Sequence, residues 1–300
     1  MNDDALEFTG ERFTPECVRE IWYEHWHRYA FARTLVAGKR VLDAACGEGY
    51  GSALLAESAA EVVGVDIAAD AIAHARARYG ARDRLRYECG DAADLPFADG
   101  AFDVVVSFET LEHLVAQERL VAGFARVLAD DGVLLISSPD KRTYSEVAGF
   151  RNEYHVRELY REELLDLLEP HFPHVRLYGQ KLLFQSVLWN LESAAGNAEA
   201  WTAADGGGAL APGLDYAPMY FIAVCAKRAL PAEPPALSLF GDREESVYAH
   251  YNHEIRKNMG AGARIAELEA ELERLRAQAT APAAAPLRDW RWWRRNRSEP

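Results

Sequence analysis

Short apolar runs closed by an acid, a glycine or a serine recur along this chain of 300 residues. Val41-Leu42 leads into Asp43, Val62-Val63-Gly64-Val65 into Asp66, and the run over residues 85–92 ends in Gly90-Asp91-Ala92. Val104-Val105-Val106 runs into Ser107, and Val133-Leu134-Leu135-Ile136 into Ser137. Each run is short and bounded by turn residues, which predicts a strand. An alanine-rich stretch to about Ala60 reads as the helix between the first two. Residues 158–169 space Leu159, Leu164, Leu165 and Leu168 as a helix does, and 174–184 and 218–227 read as two further strands.

The first strand breaks into Ala45-Cys46-Gly47-Glu48-Gly49-Tyr50-Gly51. Alternating glycines let a backbone turn sharply and approach a ligand closely, with a helix N-terminus just beyond. Asp66 follows about 20 residues after the first glycine, where an acid can accept hydrogen bonds from ribose hydroxyls. A dinucleotide or another adenosine cofactor would fit. The Gly-x-Gly-x-Gly spacing favours the second, as does Asp43, which would repel a pyrophosphate but suit a cationic amino-acid ligand.

In this order the motifs resemble the class I S-adenosylmethionine-dependent methyltransferases, over roughly residues 38–228. The resemblance implies an α/β fold: a Rossmann-like, seven-stranded, mostly parallel sheet with an antiparallel last strand. It also implies roles. Gly47, Gly49 and Gly51 bend around the methionine part of S-adenosylmethionine, and Asp43 holds its ammonium indirectly. Asp66 and Ile67 take the ribose side, Asp91 and Ala92 the adenine edge, and Ser107 and Phe108 lie beside the sulfonium. One departure is Ala45, where the family commonly has glycine. Asp91 also reads as a turn acid ahead of Leu95-Pro96-Phe97.

The fourth strand continues into Glu109-Thr110-Leu111-Glu112-His113. If a helix begins there, positions 109, 112 and 113 share one face, and two crowded carboxylates call for a cation with an imidazole co-ligand. The string also resembles the metal site of small-RNA terminal 2′-O-methyltransferases, and residues 155–162 resemble the segment carrying that family's later histidine ligand. This implies Glu109, Glu112, His113 and His155 as ligands to Mg2+ or Mn2+, with Glu112, His113 and His155 catalytic. Glu153 and Tyr154 stand where that family has a second histidine. A histidine base without metal, or a helix cap, are the other readings of His113. The chain lacks the Asn/Asp-Pro-Pro-Tyr string of adenine N-methyltransferases and a Pro-Cys nucleophile, which leaves oxygen as the expected acceptor.

Residues 1–37 read as a helical segment, started by Pro15 and rich in aromatics from Trp22 to Phe31. It covers a sheet edge or helps close the active site. Its Gly10-to-Glu16 string resembles the N-terminus of bacterial glycan-assembly methyltransferases, as Ala-Pro-Leu-Arg at 285–288 resembles endings of such transferases. The methyltransferase domain is expected over 38–229, with an insertion at 185–217 (Trp189, Trp201, Gly206 to Gly208) that reads as a substrate lid. A linker and helix follow at 230–263, then a short coiled coil at 264–278, which offers a homo-oligomer contact or packs on its own domain. Residues 279–300 are an Ala/Pro spacer and a Trp/Arg tail, whose 288–297 suits an anionic membrane surface or a glycan-assembly partner, or is simply solvated.

The formal charge of −14 argues against a general nucleic-acid binder. Cys17, Cys46, Cys89 and Cys225 lack metal spacing and read as small core residues in a reducing compartment. No apolar run is long enough to span a bilayer, and Met1-Asn2-Asp3-Asp4 does not read as a leader, so a cytoplasmic protein, at most peripheral at the inner face of a membrane, is expected. The resulting reading is an O-methyltransferase acting on a saccharide hydroxyl. Its rivals are an RNA 3′-terminal 2′-O-methyltransferase and a non-catalytic cofactor-binding scaffold.

Overall fold

The computed structural model describes residues 20–188, 190–192, 198–204, 209–230 and 235–280. The chain divides into two compact units, residues 1–241 and 242–300. In the first, α1 (Glu20–Val36) precedes an alternation of β1 (Arg40–Ala44), α2 (Tyr50–Leu55), β2 (Glu61–Asp66), α3 (Ala69–Tyr79), β3 (Leu85–Cys89), β4 (Phe102–Ser107), α4 (Gln117–Val127), β5 (Leu128–Pro139) and α5 (Arg161–Leu168). β6 (His174–Gln180), the hairpin β7 (Trp201–Ala204) and β8 (Ala209–Pro212), and β9 (Tyr220–Ala226) complete it. The second unit contains α6 (Ser246–Thr280).

Seven strands form one sheet in the order β3-β2-β1-β4-β5-β9-β6. β9 alone is reversed, antiparallel to both β5 and β6, so the expected mostly parallel sheet with its antiparallel strand is present. Both faces are covered, which is why the strands carry unbroken apolar runs. Successive residues go to opposite layers. Leu42, Val105, Leu134 and Ile136 join Leu120, Phe124, Leu164 and Leu168 of α4 and α5. Val41, Val104, Val106 and Leu135 join Tyr29, Phe31 and Ile72 of α1 and α3.

Some expectations need correction. The helix after the glycine loop ends at Leu55, and the one read over 158–169 begins at Arg161, behind Tyr160, whose N–H donates to the Glu163 carboxylate at 3.0 Å. The insertion carries the β7–β8 hairpin. Trp189 and Gly206 to Gly208 lie outside the described residues, as do the Gly10-to-Glu16 string, Cys17, the Ala-Pro-Leu-Arg string at 285–288 and the tail at 288–297. Cys46 and Cys225 are core residues, but Cys89 is exposed, because β3 ends the sheet and shows one side to solvent. No described helix is long and apolar enough to cross a membrane.

Candidate active site

Strand order reverses between the neighbours β1 and β4, and ligands of open α/β sheets bind beyond the carboxyl ends of the strands at such a point. The loop after β1 makes its turn with three left-handed residues, Ala45 (φ 60°), Gly47 (φ 56°) and Gly49 (φ 92°). Gly49 is also obligatory for space, since a Cβ there would stand 2.7 Å from the Tyr87 ring. Gly51 behaves differently. It lies inside α2, and its missing Cβ admits the Tyr29 ring, whose nearest atom would be 2.0 Å away.

Asp43 is fully buried at the end of β1. Its carboxylate accepts hydrogen bonds from Ser52 Oγ (2.6 Å) and Tyr29 Oη (3.2 Å). Burial pushes its pKa up to about 7, against the pull of those two hydroxyls. An acid so held suits a cationic ligand group. Asp66, at the tip of β2, accepts the Gly47 N–H and the Ala68 N–H, both at 2.9 Å, which fixes the loop beside it. Next to it Ile67 is 73% exposed, a bare apolar face at the sheet tip. Asp91 accepts the Ala93 N–H at 2.8 Å, the geometry of the turn acid, while Ala92 is buried behind it. Ser107 and Phe108 are buried at the end of β4, and Ser107 Oγ has no hydrogen-bond partner. These groups fit S-adenosylmethionine: an acid for its ammonium, an acid and an apolar face for its nucleoside, and an unfilled hydroxyl between.

The helix expected from Glu109 is replaced by a single 3-10 turn, Leu111–His113. Glu109 stands before it with φ 51°, held there by one serine: its N–H donates to Ser137 Oγ (2.9 Å), which donates back to its Oε1 (2.6 Å). Glu109 therefore does not share a helical face with Glu112 and His113. Its other neighbour is Arg28 of α1, with Nη2 3.5 Å from Oε1. Among the described residues, the group of side chains able to hold a metal is Glu112, His113 and His155, whose ligand atoms lie within 4.8 Å of one another; Glu109 is not in it.

Glu112 is 1% exposed, and neither carboxylate oxygen has a hydrogen-bond partner. Burial, then Glu109, holds its pKa well above the usual carboxylate range. Its backbone carbonyl accepts the N–H groups of Val156 (2.8 Å) and Arg157 (3.0 Å), which draws the segment of His155 alongside. The rings of His113 and His155 meet edge to face at 5.1 Å. His113 Nδ1 lies 3.1 Å from the Tyr154 carbonyl, so that nitrogen carries the proton and Nε2 points at Glu112, 3.9 Å away. His155 Nδ1 donates to Glu158 at 2.6 Å, and Nε2 accepts from Asn152 at 3.0 Å. A histidine whose other N–H is tied to a carbonyl or carboxylate is the usual form of a metal ligand. The buried, unpartnered carboxylate beside the oriented His113 fits a divalent cation, and His155 would join them once Asn152 releases its Nε2.

Sequence reasoning missed Arg28. It is 2% exposed, donates Nε–H to Gln180 (2.8 Å), and lies 4.4 Å over the Tyr220 ring. It also lines a cleft of about 970 Å³, with Glu24, Asp140, Thr143, Gln180 and Phe240 among its walls, at the carboxyl ends of β5 and β6. The excess of aromatics in α1 was the available signal. Tyr29 packs on both Tyr50 and Phe108 (5.2 Å each), and Trp26 on Tyr50 (5.7 Å), so α1 lines the site as well as covering the sheet.

Residues 42–136 match the family model described as a methyltransferase domain, so this segment carries an enzyme's catalytic fold. An S-adenosylmethionine-dependent methyltransferase of Mycolicibacterium smegmatis is 41% identical over 168 residues, 55% of this chain and 64% of that protein. One of Mycobacterium tuberculosis is 39% identical over 167 residues, 55% of this chain and 60% of that protein. The chain thus spans less than two thirds of these relatives. Among solved structures, a chain from the complex between the Haloferax volcanii Trm112 methyltransferase activator and a methyltransferase aligns with TM-score 0.51 at 19% identity, covering 68% of this chain and 91% of that one, a likeness of fold.

Proposed function

We propose that this chain is an S-adenosylmethionine-dependent O-methyltransferase whose acceptor is a saccharide hydroxyl, in the assembly of a bacterial surface glycan, assisted by a divalent cation. The observation that carries the metal-assisted chemistry is Glu112: a buried carboxylate with no hydrogen-bond partner, facing two imidazoles whose Nδ1 atoms are already engaged. Imidazole ligands favour a first-row transition ion over Mg2+, and of the two ions considered Mn2+ is the one that would accept them. The saccharide acceptor is supported by the resemblance of residues 10–16 and 285–288 to glycan-assembly transferases.

Asp43, Gly47, Gly49, Asp66, Ile67, Asp91, Ala92, Ser107 and Phe108 would hold S-adenosylmethionine, which supplies a methyl group already activated on sulfur. Gly51 would serve by seating Tyr29. Glu112, His113 and His155 would hold the cation, which lowers the pKa of a hydroxyl bound to it. The protein then has to align the acceptor and take its proton. An imidazole with its Nδ1 protonated has a single lone pair, on Nε2, so a histidine that holds the cation does not also take the proton; where no cation is bound, His113 Nε2, oriented through the Tyr154 carbonyl, would accept it. The cleft would offer the acceptor an approach from the side of Arg28, whose Nη2 lies 3.5 Å from Glu109.

A second reading, methylation of an RNA 3′-terminal 2′-hydroxyl, draws on the same Glu112, His113 and His155. The charge of −14 counts against it. Labelled cofactor offered with oligosaccharides and with RNA, with and without a chelator, tests both. Transfer to sugar that the chelator abolishes and Mn2+ restores is expected. Transfer unaffected by chelator and by Glu112→Gln refutes the metal role, and transfer to RNA alone refutes the saccharide.

A further inference from the structure

Helix α6 carries an apolar seam that is open to solvent. Ile265 and Leu272 fall at one core position of a heptad and Leu268 and Leu275 at the other, and all four are 47–56% exposed. The same register places Asn258 at the first core position and Ala261 at the second, and Glu254, a further half-heptad back, ends the seam. Flanking it, Arg264 and Glu271 take the position before each first core residue, and Glu269 and Arg276 the position after each second.

We propose that α6 pairs with a second copy of this chain as a parallel, in-register, two-stranded coiled coil. Ile265 at the first core position with leucine at the second favours two parallel strands. A single asparagine at the first position, here Asn258, aligns with its own copy and fixes the register at some loss of stability. The flanking charges decide direction. In a parallel pair Arg264 meets Glu269 of the partner subunit, and Glu271 meets Arg276 of the partner subunit; every flanking pair is attractive. Turning one helix round, with Ile265 against Leu275 of the partner subunit, sets Glu271 beside Glu271 of the partner subunit and Glu269 beside Glu269 of the partner subunit. Both are repulsive. Within one chain Arg264 bonds Glu267 (2.8 Å) and Arg274 lies 3.8 Å from Glu271, so the interchain pairs form by exchange of partners at the same surface.

Sedimentation equilibrium of the full chain should give twice 33.4 kDa, and a 33.4 kDa species at every concentration, or a trimer, overturns the proposal. Direction is read by Ala261→Cys under mild oxidation, with the wild type as control for the native cysteines. A covalent dimer beyond the control is expected. The antiparallel pair would hold those cysteines about 27 Å apart at 1.5 Å per residue, so no added crosslink refutes the orientation. Arg264→Glu should weaken association roughly tenfold, and Glu269→Arg in the same chain should restore it. Failure of the second change to restore it also refutes the parallel register.

Discussion

Asp43→Asn should make the folded protein more stable at neutral and alkaline pH, and the gain should grow with pH. Asp43 has no exposed surface, and burial raises its pKa from 3.8 to about 7. An acid whose pKa rises on folding favours the native state while protonated. Its contribution is whole below pH 3.8, shrinks as pH climbs, and is gone above about 7. Three pKa units at 1.36 kcal/mol each amount to about 4 kcal/mol. Asparagine keeps the shape and one acceptor oxygen but never ionises, so the variant escapes this loss. Glu24, which burial also raises to about 7, titrates in the same window in both proteins and drops out of the difference. Urea unfolding of both proteins between about pH 4 and 8, extrapolated to water, measures it. The variant's advantage should climb by about 4 kcal/mol across that range. A difference flat in pH, or one that shrinks as pH rises, refutes the assignment of a buried, high-pKa carboxyl at the end of β1.

Tyr29→Phe removes a donor to the same carboxylate, so it should destabilise by about 2 kcal/mol at pH 8 and by less at pH 5, where Asp43 is mostly protonated; equal losses at both would mean the hydroxyl does not serve the charge. Arg28→Met strips the counter-ion from the Glu24 and Glu109 carboxylates and should cost about 3 kcal/mol, read by chemical denaturation, and a loss under about 1 would contradict its place in a buried ion pair. Ala45→Gly relieves a left-handed alanine at φ 60° and should raise the urea midpoint by up to about 1 kcal/mol of stability; a lowered midpoint would show the alanine to be unstrained. Added Mn2+ should raise the melting temperature of the wild type and leave that of Glu112→Gln unmoved, and an equal rise in both would place the ion elsewhere.

The sheet was legible because its strands are buried on both faces and therefore carry uninterrupted apolar runs, each ending where an acid or serine reaches the sheet tip. The direction of β9 came with the family resemblance, since its apolar run alone is the same in either direction. Glu109 was misplaced for a local reason: its neighbours in sequence have helical spacing, but the Ser137 hydroxyl, 28 residues away, clasps both its N–H and its carboxylate. Arg28 went unread because nothing in a helix of aromatics marks one arginine as buried. Glu112, His113 and His155 were legible as residue types at a spacing; that Glu112 lacks any hydrogen-bond partner could be seen only in three dimensions.

Gly51 carries a warning for anyone who maps this protein by mutagenesis. It belongs to the loop motif by spacing, yet the atom it withholds makes room for an aromatic ring from α1, and that ring in turn steadies Asp43. A variant at this position that failed to bind S-adenosylmethionine would look, in a binding screen, like the loss of a contact. It would instead be a displaced tyrosine, felt two residues removed from any ligand.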